Sequence, residues 1–293
     1  MQVISTAAEY DAIYQQWQGR QVALVPTMGA LHEGHLALIR LARQVADVVV
    51  VSIFVNPLQF GPQEDLSQYP RPLGQDLALC RELGVDAVFT PSVAVLYPEG
   101  MDNVTTVVPP ARLTERFCGE FRPGHFTGVA TVVLKLFNLL RPQVAVFGEK
   151  DAQQLMVIRQ MVRDLHVPVR IIPQPTIREA SGLALSSRNR YLKTEAERRA
   201  ALSLSAILNR VRHRARQAMQ ANQPPLNAET TLGEISREVL AELGGPSVTI
   251  RLQYLAAVDK DTFEPIHTLE ANAKVLVAAY VNDVRLIDNM DVQ

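Results

Sequence analysis

The chain has 293 residues, of which 47% are apolar, 20% charged and 6% aromatic, so it can bury a core without disulfides or structural metals and is neither disordered nor collagen-like. A formal net charge of -1 argues against a mainly nucleic-acid-binding role, which rests on clustered, uncompensated Lys and Arg. Two cysteines, Cys80 and Cys118, lack a second pair to complete a metal site and read as buried thiols of a protein in the reducing cytoplasm.

No basic segment precedes an apolar one at the N-terminus, and Glu9 and Asp11 arrive early, so neither a secretory nor an organellar address is expected. Short β-branched runs then alternate with amphipathic segments over roughly the first 175 residues, the pattern of a parallel sheet covered by helices. Strands are predicted at residues 21–26, 47–54, 87–89, 144–147 and 169–172, and helices at 36–46, 76–83, 128–140 and 152–165. The apolar stretch 48–55, broken only by Ser52, is far shorter than the ~20 residues of a membrane-spanning helix and reads as a core strand.

Beyond Pro173 and Pro175 a loop of small and polar residues runs to Asn189, and a long helix is predicted at 194–221. Between Ile177 and Gln220 there are ten Lys or Arg against three acids, with Arg210, Arg212, Arg214 and Arg216 closely spaced. That stretch reads either as a solvated helix face or as a nucleic-acid contact. A linker at 222–227 leads to a helix at 228–243 and strands at 248–254 and 274–281, the last ending in an Asn282-Asp283 hairpin turn. The expected architecture is α/β, a Rossmann-like parallel-sheet domain over residues 1–176, followed by a smaller α+β C-terminal domain over 177–293.

The segment Val25-Pro26-Thr27-Met28-Gly29-Ala30-Leu31-His32-Glu33-Gly34-His35 joins the first predicted strand to a helix, where α/β domains bind ligands. A helix N-terminus offers unpaired amide hydrogens and a positive dipole end, Gly29 and Gly34 let a phosphate approach the backbone, and His32 and His35, expected on one helix face, can bond its oxygens. A zinc site or a structural pair of histidines are the other readings. The His-Glu-x-x-His spacing of metal helices is absent and no third ligand lies nearby.

This His-x-Gly-His resembles the nucleotidyltransferase superfamily, which includes class I aminoacyl-tRNA synthetases. Together with Pro26-Thr27-Met28-Gly29, Phe54-Val55-Asn56-Pro57-Leu58-Gln59-Phe60, Arg122-Pro123-Gly124-His125-Phe126, Phe147-Gly148-Glu149-Lys150-Asp151 and Leu185-Ser186-Ser187-Arg188-Asn189, it is similar to the pantothenate synthetase family, also called pantoate–β-alanine ligases. The resemblance runs from about residue 20 to Leu286-Ile287-Asp288-Asn289. It implies that ATP, (R)-pantoate and β-alanine give pantothenate, AMP and pyrophosphate through a pantoyl adenylate.

Under that resemblance His32 and His35 meet the α- and β-phosphates, and His35 matches the position of a proton donor, a role that suits an imidazole titrating near neutrality. Lys150, at the carboxyl edge of a predicted strand, supplies a mobile positive charge, although a loop lysine between Glu149 and Asp151 also reads as a surface ion pair. Gly148 and Asp151 look like ribose contacts. Gln59 and Gln154 are the pantoate clamps, since an amide donates to a carboxylate without adding charge, and Met28 and Phe60 are candidates for its apolar wall. Ser186, Ser187 and Arg188 resemble the superfamily's mobile phosphate loop, with backbone at Ile177 and Leu185 beside adenine; the other reading is a polar linker. Arg122 and His125 stay outside the catalytic set.

Magnesium is implied as the companion of ATP, yet no carboxylate cage is visible, and where some family members carry an acidic pair this chain has Gln75-Asp76. No metal residue is assigned. A homodimer is likewise implied only by the resemblance. Alternatives are a nucleotidyltransferase that keeps the nucleotide in its product, a non-catalytic ATP-binding protein, and an RNA-binding module using Arg210 to Arg216.

Overall fold

A parallel sheet buried on both faces needs strands that are apolar at every position, and the first half of the chain supplies them. The computed structural model describes residues 1–293 except Pro62, Gln63, Asp65 and Pro246. The chain forms two compact units, Met1–Pro175 and Thr176–Gln293.

In the first unit, β1 (Gln2–Ile4) and α1 (Ala7–Tyr14) precede β2 (Val22–Thr27), α2 (Glu33–Val45), β3 (Val48–Ile53), α3 (Leu73–Glu82) and β4 (Ala87–Phe89). Three one-turn helices follow, α4 (Val93–Leu96), α5 (Ala111–Thr114) and α6 (Cys118–Phe121). Then come α7 (His125–Leu140), β5 (Val144–Gly148), α8 (Ala152–Asp164) and β6 (Arg170–Gln174). The strands form one six-stranded sheet in the order β1-β4-β3-β2-β5-β6, with every pairing parallel. Val48 to Val51 and Val22 to Val25 are buried along their length, as continuous apolar strands should be. The predicted elements are all present; β1 and α1 lie outside the predicted set, β1 adding an edge strand beside β4 and α1 beginning with the reciprocal Thr6–Glu9 capping box.

The chain reverses its direction of travel across the sheet between β2 and β5, which creates the crevice in which open α/β sheets hold ligands. That crevice is opened by a short ladder. The β2–β5 pairing covers only Ala23↔Val144 and Leu24↔Ala145, and Pro26, without an N–H, stands just past its end.

The second unit begins with a 3-10 turn at Ser187–Tyr191, followed by α9 (Glu195–Gln220), β7 (Leu226–Asn227), α10 (Ala228–Leu243), β8 (Ile250–Asp259), β9 (Thr268–Leu269), β10 (Ala273–Val281) and β11 (Val284–Asp291). Strands β11-β10-β8 make an antiparallel sheet whose apolar face packs with α9 and α10. Val281 pairs directly with Val284, so Asn282-Asp283 is the expected two-residue turn, with Asn282 at φ 51°. This is the smaller α+β domain. The basic stretch is answered from α10 and the C-terminal strand: Arg210 pairs with Glu242, Arg214 with Glu234 at 2.9 Å, and Arg216 donates to the carbonyl of Val292 at 3.1 Å. Arg210 and Arg214 are thus ion-paired at the surface of α9.

Candidate active site

The turn after β2 has to reverse tightly before α2 can begin, and its backbone shows the cost. Gly29 lies at φ 83° and Ala30 at φ 50°, the latter a conformation that side-chain-bearing residues seldom adopt. A Cβ at Gly29 would come within 3.0 Å of both Ile53 and Asp76, so glycine is required there. The turn is held by Asp76, a fully buried carboxylate of α3, whose two oxygens accept from the amides of Ala30 (2.9 Å) and Leu31 (2.8 Å). Two backbone hydrogen bonds converging on one carboxyl group can hold a strained turn.

Helix α2 starts at Glu33, earlier than the predicted residue 36, and this moves both histidines. His32 is the N-cap and His35 the third helical residue, so the two rings lie side by side as their spacing suggested, and both also cap backbone amides of the first turn. His32 Nδ1 accepts from the Gly34 amide at 3.1 Å and His35 Nδ1 accepts from the His32 amide at 3.3 Å, with the rings 4.2 Å apart. A backbone N–H can only donate, so each Nδ1 must be unprotonated and each ring carries its hydrogen on Nε2. Burial, then the neighbouring His32 and Lys150, lower the His35 pKa to about 3, against the opposing pull of Asp151. His35 is therefore a neutral Nε2–H donor, in place of the imidazole titrating near neutrality that was expected.

Lys150 and Asp151 follow β5, across the crevice from this turn, and both act electrostatically on His35. The Lys150 side chain is 19% exposed and its Nζ stands 3.9 Å from the half-exposed Asp151, so the ion pair that loop composition allowed is present, with the lysine partly buried. At Gly148 an added Cβ would meet nothing within 4 Å, leaving the end of β5 open to a ligand. The structure thus gathers Met28, Gly29, His32, Gly34, His35, Gly148, Lys150 and Asp151 at the carboxyl edge of β2 and β5.

Gln59 ends a 3-10 turn, Pro57–Gln59, and is buried against Met28, whose sulfur receives its Nε2 at 3.1 Å. Its backbone carbonyl accepts from His125 Nδ1 at 2.8 Å, while His125 Nε2 receives Arg122 at 3.0 Å. Arg122 in turn pairs with Glu64 through Nε at 2.6 Å and Nη2 at 2.8 Å. Burial, then the adjacent guanidinium, lower the His125 pKa to about 4, so this ring too is neutral and acts as a fixed spacer. Arg122 and His125 thus both brace the Gln59 backbone carbonyl. Helix α7 approaches so closely that a Cβ on Gly128 would fall 2.3 Å from the carbonyl of Leu58.

Gln154 sits half-buried in the first turn of α8, and its neighbour Gln153 is a structural residue that accepts from the Cys118 amide and donates to the carbonyls of Leu113 and Arg116. Ile177, Leu185, Ser186, Ser187 and Arg188 belong to the second unit. There Leu185 donates its amide to the Ile177 carbonyl at 2.9 Å, and Ser186 Oγ accepts from the Arg188 amide at 3.3 Å, which leaves the hydroxyl hydrogen to donate elsewhere. The loop is pinned by Arg178, bidentate to the buried Asp288 at 2.6 and 2.8 Å.

Three residues that shape the site went unassigned from sequence: Asp76, Asn56 and Tyr97. Asn56 had a signal in its place before Pro57, where an Asn caps a turn. Asp76 looks like any acid in the first turn of a helix. Tyr97 has no local pattern at all.

Among the described residues, no group of three or more His, Cys, Asp or Glu is arranged to hold a metal. Asp76, the one acid in the Gln75-Asp76 position, is committed to backbone amides on both oxygens. The donors at the crevice suit anions.

A family model described as pantoate-beta-alanine ligase matches residues 2–291. A bifunctional pantoate ligase/cytidylate kinase of Thermosynechococcus vestitus is 53% identical over 92% of this chain and 50% of its own length, so the chain spans about half of such curated relatives. A crystal structure of pantothenate synthetase from Thermus thermophilus superposes with a TM-score of 0.88 at 44% identity, covering 100% of this chain and 99% of that one. One of pantoate-beta-alanine ligase from Francisella tularensis, complexed with beta-gamma ATP and beta-alanine, gives a TM-score of 0.79 at 35% identity over 100% and 98% of the two chains.

Proposed function

Because the chain belongs to the pantoate-beta-alanine ligase family, we propose that it joins (R)-pantoate to β-alanine at the expense of ATP, giving pantothenate, AMP and pyrophosphate through an enzyme-bound pantoyl adenylate. The observation that carries this reading is the pair of neutral Nε2–H imidazoles at the start of α2, facing the same crevice as Lys150.

A pantoate carboxylate oxygen attacks the α-phosphorus, the bond to pyrophosphate breaks, and negative charge grows on the non-bridging and leaving oxygens. His32 and His35 meet that charge as hydrogen-bond donors and Lys150 as a point charge. A neutral imidazole held at a helix N-terminus can act as an electrophile of this kind, its Nε2–H donating to an oxygen as negative charge develops there. The amine of β-alanine then attacks the acyl carbon and AMP leaves. Met28 and Gly29 line the turn under the phosphates; Gly148 and Asp151 take the ribose hydroxyls; Gln59 and Gln154 hold pantoate between Met28 and Phe60.

In the same reading, residues 1–176 bind nucleotide and pantoate, and in residues 177–293 the resemblance assigns Ile177 and Leu185 to adenine and Ser186, Ser187 and Arg188 to the β- and γ-phosphates. Magnesium accompanies the nucleotide phosphates and takes no assigned protein ligand, in keeping with its preference for phosphate and water. The enzyme works in the cytoplasm as a homodimer.

The test is pantoate-dependent exchange of labelled pyrophosphate into ATP without β-alanine, since reversible attack at the α-phosphorus is what produces it. Exchange, followed by pantothenate and AMP once β-alanine is added, supports the ligase. Folded protein that binds ATP but gives no exchange with pantoate overturns it.

A further inference from the structure

The carboxamide of Gln59 has two faces of opposite polarity, and which one meets the substrate decides what the pocket accepts. Its orientation is dictated by Asn56, a residue with 1% exposure whose side chain makes four hydrogen bonds. Asn56 Nδ2 donates to the Gly128 carbonyl at 3.1 Å, and Oδ1 accepts from the Leu58 amide at 3.3 Å. A backbone carbonyl only accepts and a backbone amide only donates, so these two contacts identify the nitrogen and oxygen of Asn56 without ambiguity. The remaining pair follows. Nδ2 gives its second hydrogen to Gln59 Oε1 at 3.1 Å, and Oδ1 takes the Tyr97 hydroxyl at 2.7 Å. Gln59 must then direct its NH2 group toward Met28, in the turn that follows β2.

We propose that Tyr97 is a positioning residue for substrate selection: through Asn56 it locks the Gln59 amide as a donor, so that the pocket selects a ligand presenting a carboxylate or hydroxyl oxygen at that point. This rests on the reading of the crevice as a pantoate site. The Tyr97 contact is the shortest of the four and comes from a residue that follows α4, with 2% exposure. Burial raises the pKa of its hydroxyl, keeping it a donor across the working pH range. Without that hydroxyl, Asn56 Oδ1 retains only the longer contact to Leu58, and the amide gains freedom to tilt.

Tyr97→Phe isolates the effect, because the ring and its packing on Phe54 (centroids 6.3 Å apart) and beneath Lys135 (5.4 Å) are retained. In pyrophosphate exchange the variant raises the pantoate KM about ten-fold, the loss of one buried hydrogen bond, and leaves the ATP KM within about two-fold. In a Gln59→Ala background the same change adds nothing further to the pantoate KM, since the group being oriented has gone. An unchanged pantoate KM, an equal rise in both KM values, or multiplicative effects in the double variant overturns the relay. A second readout stands apart from turnover: the Asn56 side-chain amide hydrogens exchange with water at least about ten-fold faster in Tyr97→Phe than in the parent, and equal rates also overturn it. Absent exchange in the parent protein would sink the ligase reading, and the amide measurement would still decide the relay.

Discussion

The turn after β2 and the basic face of α9 both carry charge and hydrogen-bonding potential far above their surroundings, yet they are built in opposite ways. At the turn, His32 and His35 each spend one side-chain atom on a specific backbone amide and Asp76 spends both its oxygens on two, and Asp76 is fully buried. On α9, Arg210 and Arg214 meet Glu242 and Glu234 across solvent, with the four side chains 40–55% exposed. Buried groups with one permitted partner hold geometry; exposed pairs in high dielectric hold very little. The difference separates a site from a surface more reliably than charge density does.

Breaking the turn should cost most. His35→Ala is expected to leave the protein folded and to lower turnover at least ~100-fold, and near-normal turnover in steady-state assays would remove His35 from the chemistry. Asp76→Asn replaces one acceptor by an NH2 group facing a backbone N–H. It should lower kcat about ten-fold or more and cost roughly 1–3 kcal/mol of stability in urea titrations, with the pantoate KM little changed.

A smaller effect concerns protons. His35 at about 3 and His125 at about 4 are both depressed below the ordinary 6.5, so between those values and 6.5 the unfolded chain binds more protons than the folded one. Stability must therefore fall as pH is lowered from about 6.5 toward 4, and the slope should flatten in His125→Gln. Imidazole nitrogen shifts should show His35 neutral and Nε2-protonated at about pH 5.5; a protonated Nδ1 there would undo the donor assignment. The smallest change is expected on α9, where Arg214→Gln should alter stability by no more than about 0.5–1 kcal/mol and leave pyrophosphate exchange as it was.

Much of this protein was legible in its sequence. Alternating apolar runs gave the parallel sheet, Pro173 and Pro175 marked the passage to the second unit, and Val281 and Val284 flanked a recognisable hairpin turn, because each depends on local periodicity or turn chemistry. The segments Met28 to His35 and Gly148 to Asp151 were identifiable for a related reason, as each is a contiguous stretch at the end of a strand. The start of α2 lies three residues before its predicted place, since histidine is not a usual N-cap and its mutual capping needs His35 already in position.

What only the tertiary structure decided are the properties that depend on residues distant in the chain. Asp76 reaches Ala30 across 46 positions and Tyr97 reaches Asn56 across 41, and nothing in the local pattern around either distinguishes them from ordinary helix-end residues. The neutrality of His35 likewise follows from burial first, then from the neighbouring His32 and from Lys150, which lies beyond the end of β5. Sequence determined which elements form and which residue types line the crevice, since periodicity and turn chemistry act between neighbours. Folding determined how those residues are oriented and charged, because burial and buried hydrogen bonds exist only once distant segments meet.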